Sequence, residues 1–243
     1  MEMDLHVGTS GYNYPEWRGT FYPDRMPRSR MLPYYAERFA VVEINATFYR
    51  MPTPKTLAGW ADATPSHFVF ALKAPQRITH FARLRNVDEL VRSFCDTART
   101  LGARLGPVLF QLPPNFSRDT GRLADVLALL PPGLAAAFEF RHPSWFDAEV
   151  YERLRARNAA LCIADTETGT TPFVETADFG YLRLRDQGYT DEGLAQWAKT
   201  IEGVAWSQAY VFFKHEESGT GPAFARRFLE LARGGLGGSS SPR

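Results

Sequence analysis

Cysteine is scarce in this chain of 243 residues: there are two, Cys95 and Cys162. Two thiols so far apart in sequence exclude a disulfide framework and a cysteine-based metal knuckle, and they fit a reducing compartment. An excess of charge of one sign is also missing. A net charge of +1 excludes bulk attraction to nucleic acid or to an anionic membrane, and leaves local clusters to be judged. No apolar run approaches bilayer-spanning length, and the opening MEMDLHVG has no basic segment ahead of an apolar one. A cytoplasmic protein with no membrane partner is therefore expected. Also lacking are His-x-His at the first strand, G-x-S-x-G, and a glycine-rich dinucleotide fingerprint. Their absence removes common signals of hydrolytic metal barrels, serine hydrolases and dinucleotide binders.

What is present is an ordinary globular composition, 44% hydrophobic and 23% charged, in a repeating pattern. Short β-branched, aromatic and aliphatic runs predict strands at Leu5–Thr9, Val41–Asn45, Phe68–Lys73, Val108–Leu112, Ala136–Arg141, Ala160–Asp165, Tyr181–Arg185 and Ala209–Lys214. Helical patterns lie between most of them, at Val87–Arg104, Leu123–Leu130, Val150–Arg157, Glu192–Ile201 and Ala223–Ala232. Asn86 is expected to cap the first of these, with Glu89 as its reciprocal partner. Alternating strand and helix imply a parallel α/β fold. About eight repeats with no linker before Arg233 predict a single (β/α)8 TIM-like barrel over residues 1–233. The connection between the sixth and seventh runs carries little helical pattern. Residues 234–243, GGLGGSSSPR, read as a flexible Gly/Ser-rich tail.

Side chains two apart share a face of a strand. One parity collects Val41, Glu43 and Asn45; Val69, Ala71 and Lys73; Leu109 and Gln111; Ala137, Glu139 and Arg141. It continues with Leu161, Ile163 and Asp165; Tyr181, Arg183 and Arg185; Tyr210, Phe212 and Lys214. The other parity is largely apolar and must meet the helices. The polar one is therefore expected to point into the barrel at the C-terminal ends of the strands, where barrel enzymes keep their sites. Charges there are costly unless paired. Glu43, Glu139 and Asp165 face five bases: Lys73, Arg141, Arg183, Arg185 and Lys214. They form either an ion-pair plug or a pocket whose missing anion is a ligand's, and the surplus of base favours the pocket.

Glu43, Lys73, Glu139 and Asp165 are the catalytic candidates; Asn45, Gln111, Arg141, Arg183, Arg185 and Lys214 are expected to hold substrate. Glu139 reads as a general acid or base, or as a salt bridge. Lys73 reads as an anion-binding ammonium or as an imine-forming amine. The loop VGTSGYNYPEWRGTFYP is expected to lay Tyr12 and Trp17 over the pocket as stacking surfaces, joined by Trp145, with Phe21 and Tyr22 packed beneath. Gly219-Thr220-Gly221 before Pro222 reads as a phosphate-accepting helix start or an ordinary cap. His80, His142 and His215 lie at loops on the functional end and could join Glu43, Glu139 or Asp165 around a metal, but no metal is assigned and the cofactor is left unknown.

The stretches VGTSGYNYPEWRGTFYP, FAVVEINATFYRMP, FALKAPQRITH, LGPVLFQLPPNF, FEFRHPSW and CIAD resemble the YecE-like family, catalogued as domain of unknown function 72. The resemblance runs in order from about Leu5 to about Ala232. It implies a TIM-like barrel with its site at the strand C-termini, and it implies no particular reaction. The family's recurring polar positions correspond to Glu43, Asn45, Lys73, Gln111, Glu139, Arg141, Asp165 and Arg183. Many members end the seventh strand with Arg-x-His-Gly and the eighth with Asn-Asn. Here Arg183-Leu-Arg185-Asp186 and Lys214-His215 stand instead, a more cationic site without that imidazole. The expected function is an enzyme, hydrolase or lyase, acting by acid–base chemistry on a small anionic ligand that is phosphorylated or nucleotide-like. The alternatives are a barrel that processes or binds nucleic acid and a non-catalytic binder of an anionic metabolite.

Overall fold

All eight predicted strands form, displaced at an end by at most three residues, in a computed structural model that describes residues 3–167 and 169–236. They are β1 (Asp4–Ser10), β2 (Val41–Ile44), β3 (Val69–Lys73), β4 (Leu105–Gln111), β5 (Ala136–Glu139), β6 (Ala160–Thr166), β8 (Phe179–Leu184) and β9 (Gln208–Phe213). Each pairs in parallel with its neighbours around a closed ring, with β9 returning to β1 and β5 meeting β6. A two-residue strand, β7 (Gly169–Thr170), adds antiparallel to β6. The thin helical signal between the sixth and seventh runs is explained there: the chain crosses from β6 to β8 through this hairpin and an irregular segment.

Among the described residues eight α-helices surround the ring: α1 (Arg28–Ala36), α2 (Ala46–Tyr49), α3 (Pro54–Asp62), α4 (Asp88–Ala98), α5 (Thr120–Leu129), α6 (Ala148–Ala156), α7 (Asp191–Glu202) and α8 (Thr220–Leu236). Several start on side-chain caps: Thr53, Asp119, Asp147 and Thr190 each accept a backbone N–H from the first turn, satisfying donors a helix start leaves free. Asn86 is not such a cap. It takes a left-handed φ of 51°, and Val87 occupies the cap position without a side-chain bond. The helix predicted over Val87–Arg104 ends at Ala98 and continues as a tighter 3-10 turn that breaks at Gly102. α8 runs to Leu236, three residues into the stretch read as tail, and residues 237–243 lie outside the described residues. No helix among the described residues is long and apolar enough to cross a membrane.

Two apolar layers follow from strand alternation. Val42, Ile44, Phe70, Leu72, Phe110 and Phe138 face outward onto the helices. Val41, Ala71, Leu109, Ala137, Tyr210 and Phe212 fill the lumen. β6 is the exception to the predicted parity. Leu161 and Ile163 lie in the outer layer, whereas Ala160 and Cys162 lie inside. Size decides this: β6 stands between β5 and β8, and small inner residues leave space over it for a side chain that must cross from one to the other.

Candidate active site

The lumen is closed at its C-terminal end by Arg183, whose side chain is fully buried. Its Nη1 donates to Glu139 Oε2 at 2.5 Å. Its Nη2 donates to Glu43 Oε1 at 3.0 Å and to Ser10 Oγ at 3.2 Å. The guanidinium thus leaves β8, passes over β6, where Ala164 is its register partner, and joins acids held on β5 and β2. Both acids are also buried. Glu139 is paired in register with Gln111, whose amide donates to Oε2 at 2.8 Å, and Arg141 Nε donates to Oε1 at 2.9 Å. Glu43 accepts from the Tyr181 hydroxyl at 2.7 Å and from Ser10 Oγ. Asn45 Nδ2 donates to the same Ser10 Oγ at 2.9 Å. Every carboxylate oxygen has a donor, which is what charges in a dry lumen require.

Burial by itself would raise the Glu139 carboxyl. Arg183, then Arg141, with hydrogen bonds from Gln111 and Arg141, outweigh it and hold the group well below the usual carboxylate range. A carboxylate so firmly ionised is a weak base and a poor acid at neutral pH. Lys73 behaves in the opposite way. Its ammonium lies 3.9 Å from the centre of the Phe48 ring, and no carboxylate among the described residues comes within 4.0 Å of it. Burial first, then repulsion from Arg183, brings its pKa down to about 7, against the opposing pull of Glu43 and Glu139. Arg185 and Lys214 feel the same cluster: burial and then Arg183 lower both.

A cavity of about 660 Å³ opens over this end of the barrel. Glu139, Glu167, Arg141 and Arg185 present the charge, and Pro114, Phe140 and Phe146 the apolar wall, while Lys73 lies outside this lining.

Some expected site residues lie elsewhere. Asp165 has the outward parity of β6, and its carboxylate accepts from the Thr170 and Tyr189 hydroxyls, both at 2.5 Å. It braces the hairpin and does not join Glu43 and Glu139. Trp17 is fully buried against Tyr14, Phe21 and Tyr22. Trp145 is fully buried, stacks on Phe140 at 4.7 Å, and donates its indole N–H to the Phe116 carbonyl. Tyr12 packs on the core near Tyr35. Large aromatics in loops have more area to bury than a rim can hide, so the core takes them. The aromatic that the first loop does bring to the cluster is Tyr14, whose hydroxyl donates to the Ser10 carbonyl at 2.9 Å. Gly11 permits this: it takes φ 89°, and a Cβ there would lie 2.4 Å from the Tyr14 hydroxyl. Gly219 and Gly221 serve packing also. Cβ atoms on them would meet Thr20 Oγ1 at 2.4 Å and the His215 carbonyl at 2.9 Å, and neither lines the cavity.

Ser10, Tyr181, Tyr14 and His80 belong to the cluster and were missed as site residues. Ser10 and Tyr181 were legible in principle, since each shares the inward parity of its strand. His80 touches Phe48 edge-on at 4.9 Å. Burial, then the charges of Lys73 and Arg141, lower its pKa to about 4.

A model of the family described as "Protein of unknown function DUF72" matches residues 6–242. The chain belongs to the DUF72 family. It is similar to the UPF0759 protein YecE of Escherichia coli, with 33% identity over 143 residues, 58% of this chain and 50% of that protein. The match thus spans half the length of that relative. The UPF0759 protein YunF of Bacillus subtilis is 25% identical over 229 residues, 88% of this chain and 79% of that one. Among solved structures, a DUF72 family protein from Thermotoga maritima superposes with a TM-score of 0.77 at 25% identity, covering 95% of this chain and 99% of that one. One from Enterococcus faecalis gives 0.79 at 17% identity over 94% and 95%, a likeness of fold alone.

In this DUF72 barrel, no group of three or more His, Cys, Asp or Glu among the described residues is arranged to hold a metal ion. His142 caps a short turn through Ser144, and His215 Nε2 lies 2.7 Å from the Asp186 carbonyl. The chemistry the arrangement offers is a fixed ion-pair floor, an Arg185 guanidinium with no carboxylate partner among the described residues, and an amine, Lys73, whose pKa is brought down to about 7.

Proposed function

We propose that this DUF72 barrel is an enzyme for a small anionic substrate, bound in the cavity against Arg141 and Arg185, with proton transfer centred on Lys73. The observation that carries this reading is the distribution of charge. Glu43 and Glu139 are saturated by Arg183 and its neighbours, while Lys73 and Arg185 have no carboxylate partner among the described residues. An anion supplies what those cations lack. The cavity is of the size that small-molecule sites use. Its apolar wall suits the uncharged part of a phosphorylated or nucleotide-like molecule.

Glu43 and Glu139 then act as the scaffold of the site, and the residue poised to take or give a proton at pH 7 is Lys73. Thermal-shift measurement with phosphorylated metabolites and nucleotides tests binding. A ligand at a hundred times its Kd stabilises by about 2.7 kcal/mol, a rise of roughly 5–10 °C for a chain this size. Arg185→Met is expected to remove most of that rise. Turnover of a ligand so found separates catalysis from binding: no turnover would leave a non-catalytic binder, and an unchanged rate in Lys73→Met would leave an enzyme of another mechanism.

A second reading has its own support. Tyr49, at the end of α2, and Phe81, in the helical turn Arg77–Phe81 after β3, are 73% and 72% exposed, and the same stretches of chain carry exposed Arg50, Arg77 and Arg85. Exposed rings beside free guanidiniums suit stacked bases and phosphates of single-stranded nucleic acid. Anisotropy with a labelled single strand tests it: binding must weaken steeply between roughly 50 and 200 mM salt. No binding at low salt removes this reading.

A further inference from the structure

We infer that the cavity takes a sugar phosphate, with its phosphate on Arg141 and Arg185 and its hydroxyls on a set of hydrogen-bond acceptors from the β6–β7 hairpin. This rests on the anion-site reading above and names the ligand class for it. Every group invoked here lines the same cavity of about 660 Å³. The lining carries two unlike sets of polar groups. The first is the pair of guanidiniums that follow β5 and β8. Among the described residues, Arg141 makes its side-chain hydrogen bond through Nε alone, to Glu139, and the Arg185 side chain makes none. The two also repel: burial and then Arg183 lower the pKa of Arg185, and the charge of Arg141 lowers it further. Neighbouring guanidiniums with N–H groups to spare suit a phosphate dianion, which brings two charges and three acceptor oxygens where a carboxylate brings one and two.

The second set is Thr166, Glu167 and Thr170 of the hairpin. Thr166 Oγ1 donates to the Gly169 carbonyl and Thr170 Oγ1 to Asp165. Each hydroxyl has thereby used its one proton and offers only lone pairs to a ligand. Glu167 is exposed, makes no ion pair among the described residues, and as a carboxylate can only accept. Acceptors gathered in this way call for a ligand rich in donors, and the Glu167 charge repels a second acid group. The part of the ligand that meets them is therefore uncharged and carries several O–H groups. Gln187, whose side chain is exposed and has no partner among the described residues, can both give to such hydroxyls and accept from them.

The apolar lining separates a sugar from a nucleotide. Phe140 is 2% exposed and has one face stacked on Trp145, and Phe146 is half-buried. Little open ring is left for a nucleobase to stack on. The C–H face of a sugar needs less.

Calorimetric titration of the full chain at about pH 8, where phosphate monoesters are dianions, tests this. The probes are glucose 6-phosphate, ribose 5-phosphate, n-butyl phosphate, glucose and AMP. A sugar phosphate is expected to bind roughly tenfold or more tighter than n-butyl phosphate, and glucose roughly a hundredfold weaker than its phosphate. Glu167→Ala, which removes an exposed carboxylate and leaves the core intact, should weaken the sugar phosphate roughly tenfold and not weaken n-butyl phosphate. Arg185→Met should weaken both by roughly tenfold or more. If n-butyl phosphate binds as tightly as the sugar phosphates, or Glu167→Ala leaves the sugar phosphate unchanged, the sugar assignment is wrong and the anion site stands. AMP binding roughly tenfold tighter than ribose 5-phosphate would likewise replace the sugar by a base as the group recognised. If none of the phosphates binds, or glucose binds as tightly as glucose 6-phosphate, both readings fall.

Discussion

Arg183→Met is the substitution with the most to say about how this barrel is built. It removes the guanidinium between Glu43 and Glu139 and leaves a side chain that still fits the lumen. Glu139 keeps Gln111 and Arg141, but Glu43 keeps only the hydroxyls of Ser10 and Tyr181. Removing one partner of a buried ion pair costs about 3–5 kcal/mol, because the other charge is left without compensation. At roughly 2–4 °C per kcal/mol for a chain of this size, the melting temperature should fall by about 6–20 °C. Urea unfolding at pH 7 measures it. The companion is the triple variant Arg183→Met with Glu43→Gln and Glu139→Gln, which buries no charge at these positions and should recover half the loss or more. The pH dependence has a definite sign. In the native protein Glu139 is held below its usual range, so its pairing contributes stability that is full above its unfolded pKa of about 4.3 and is lost as pH falls toward the native value. In Arg183→Met, protonation relieves an unpaired charge, so the deficit should narrow from pH 7 to pH 5. A loss under about 1 kcal/mol, or a deficit that the glutamines do not repair, would refute the view that Arg183 neutralises the two acids.

Lys73→Met should stabilise the protein at pH 6 by on the order of 2–4 kcal/mol, since a native pKa of about 7 makes the charged amine costly throughout the acid side. That gain should shrink from pH 7 upward and vanish near pH 10.5, as thermal melts across this range would reveal. Glu139→Gln should tighten binding of a small dianion on the order of tenfold by calorimetry, because it removes a negative charge from the cavity floor, while lowering stability by breaking the Arg183 pair. Trp145→Ala should cost about 3–5 kcal/mol of stability yet change ligand affinity little, as expected of a buried residue stacked behind the cavity wall. A large affinity loss with stability intact would restore Trp145 to the ligand's surface.

The period-two alternation along each strand was enough to settle the barrel and the inward direction of Glu43, Lys73, Gln111, Glu139 and Arg183, because in a parallel ring one face of every strand must meet helices. Local sequence also carried most helix positions. It failed where two local rules competed. Asn86 looked like a cap, but the turn ahead of α4 needed a left-handed residue and used it for that. Asp165 looked like an inward acid because it is the polar residue at the C-terminal end of its strand, as on the other strands; on β6 the aliphatics that share its parity, Leu161 and Ile163, are the outward set.

Alternation within one strand depends on that strand alone, and so the sequence by itself determined the ring and most of its inward charges. Which charges neutralise one another depends on distances across the lumen between residues as far apart in the chain as Glu43 and Arg183. Only the tertiary structure decided that Arg183 takes both acids, that small residues on β6 clear its path, and that Lys73 has no carboxylate partner among the described residues. The same holds for Trp17 and Trp145, whose burial follows from what packs around them and not from the loops that carry them.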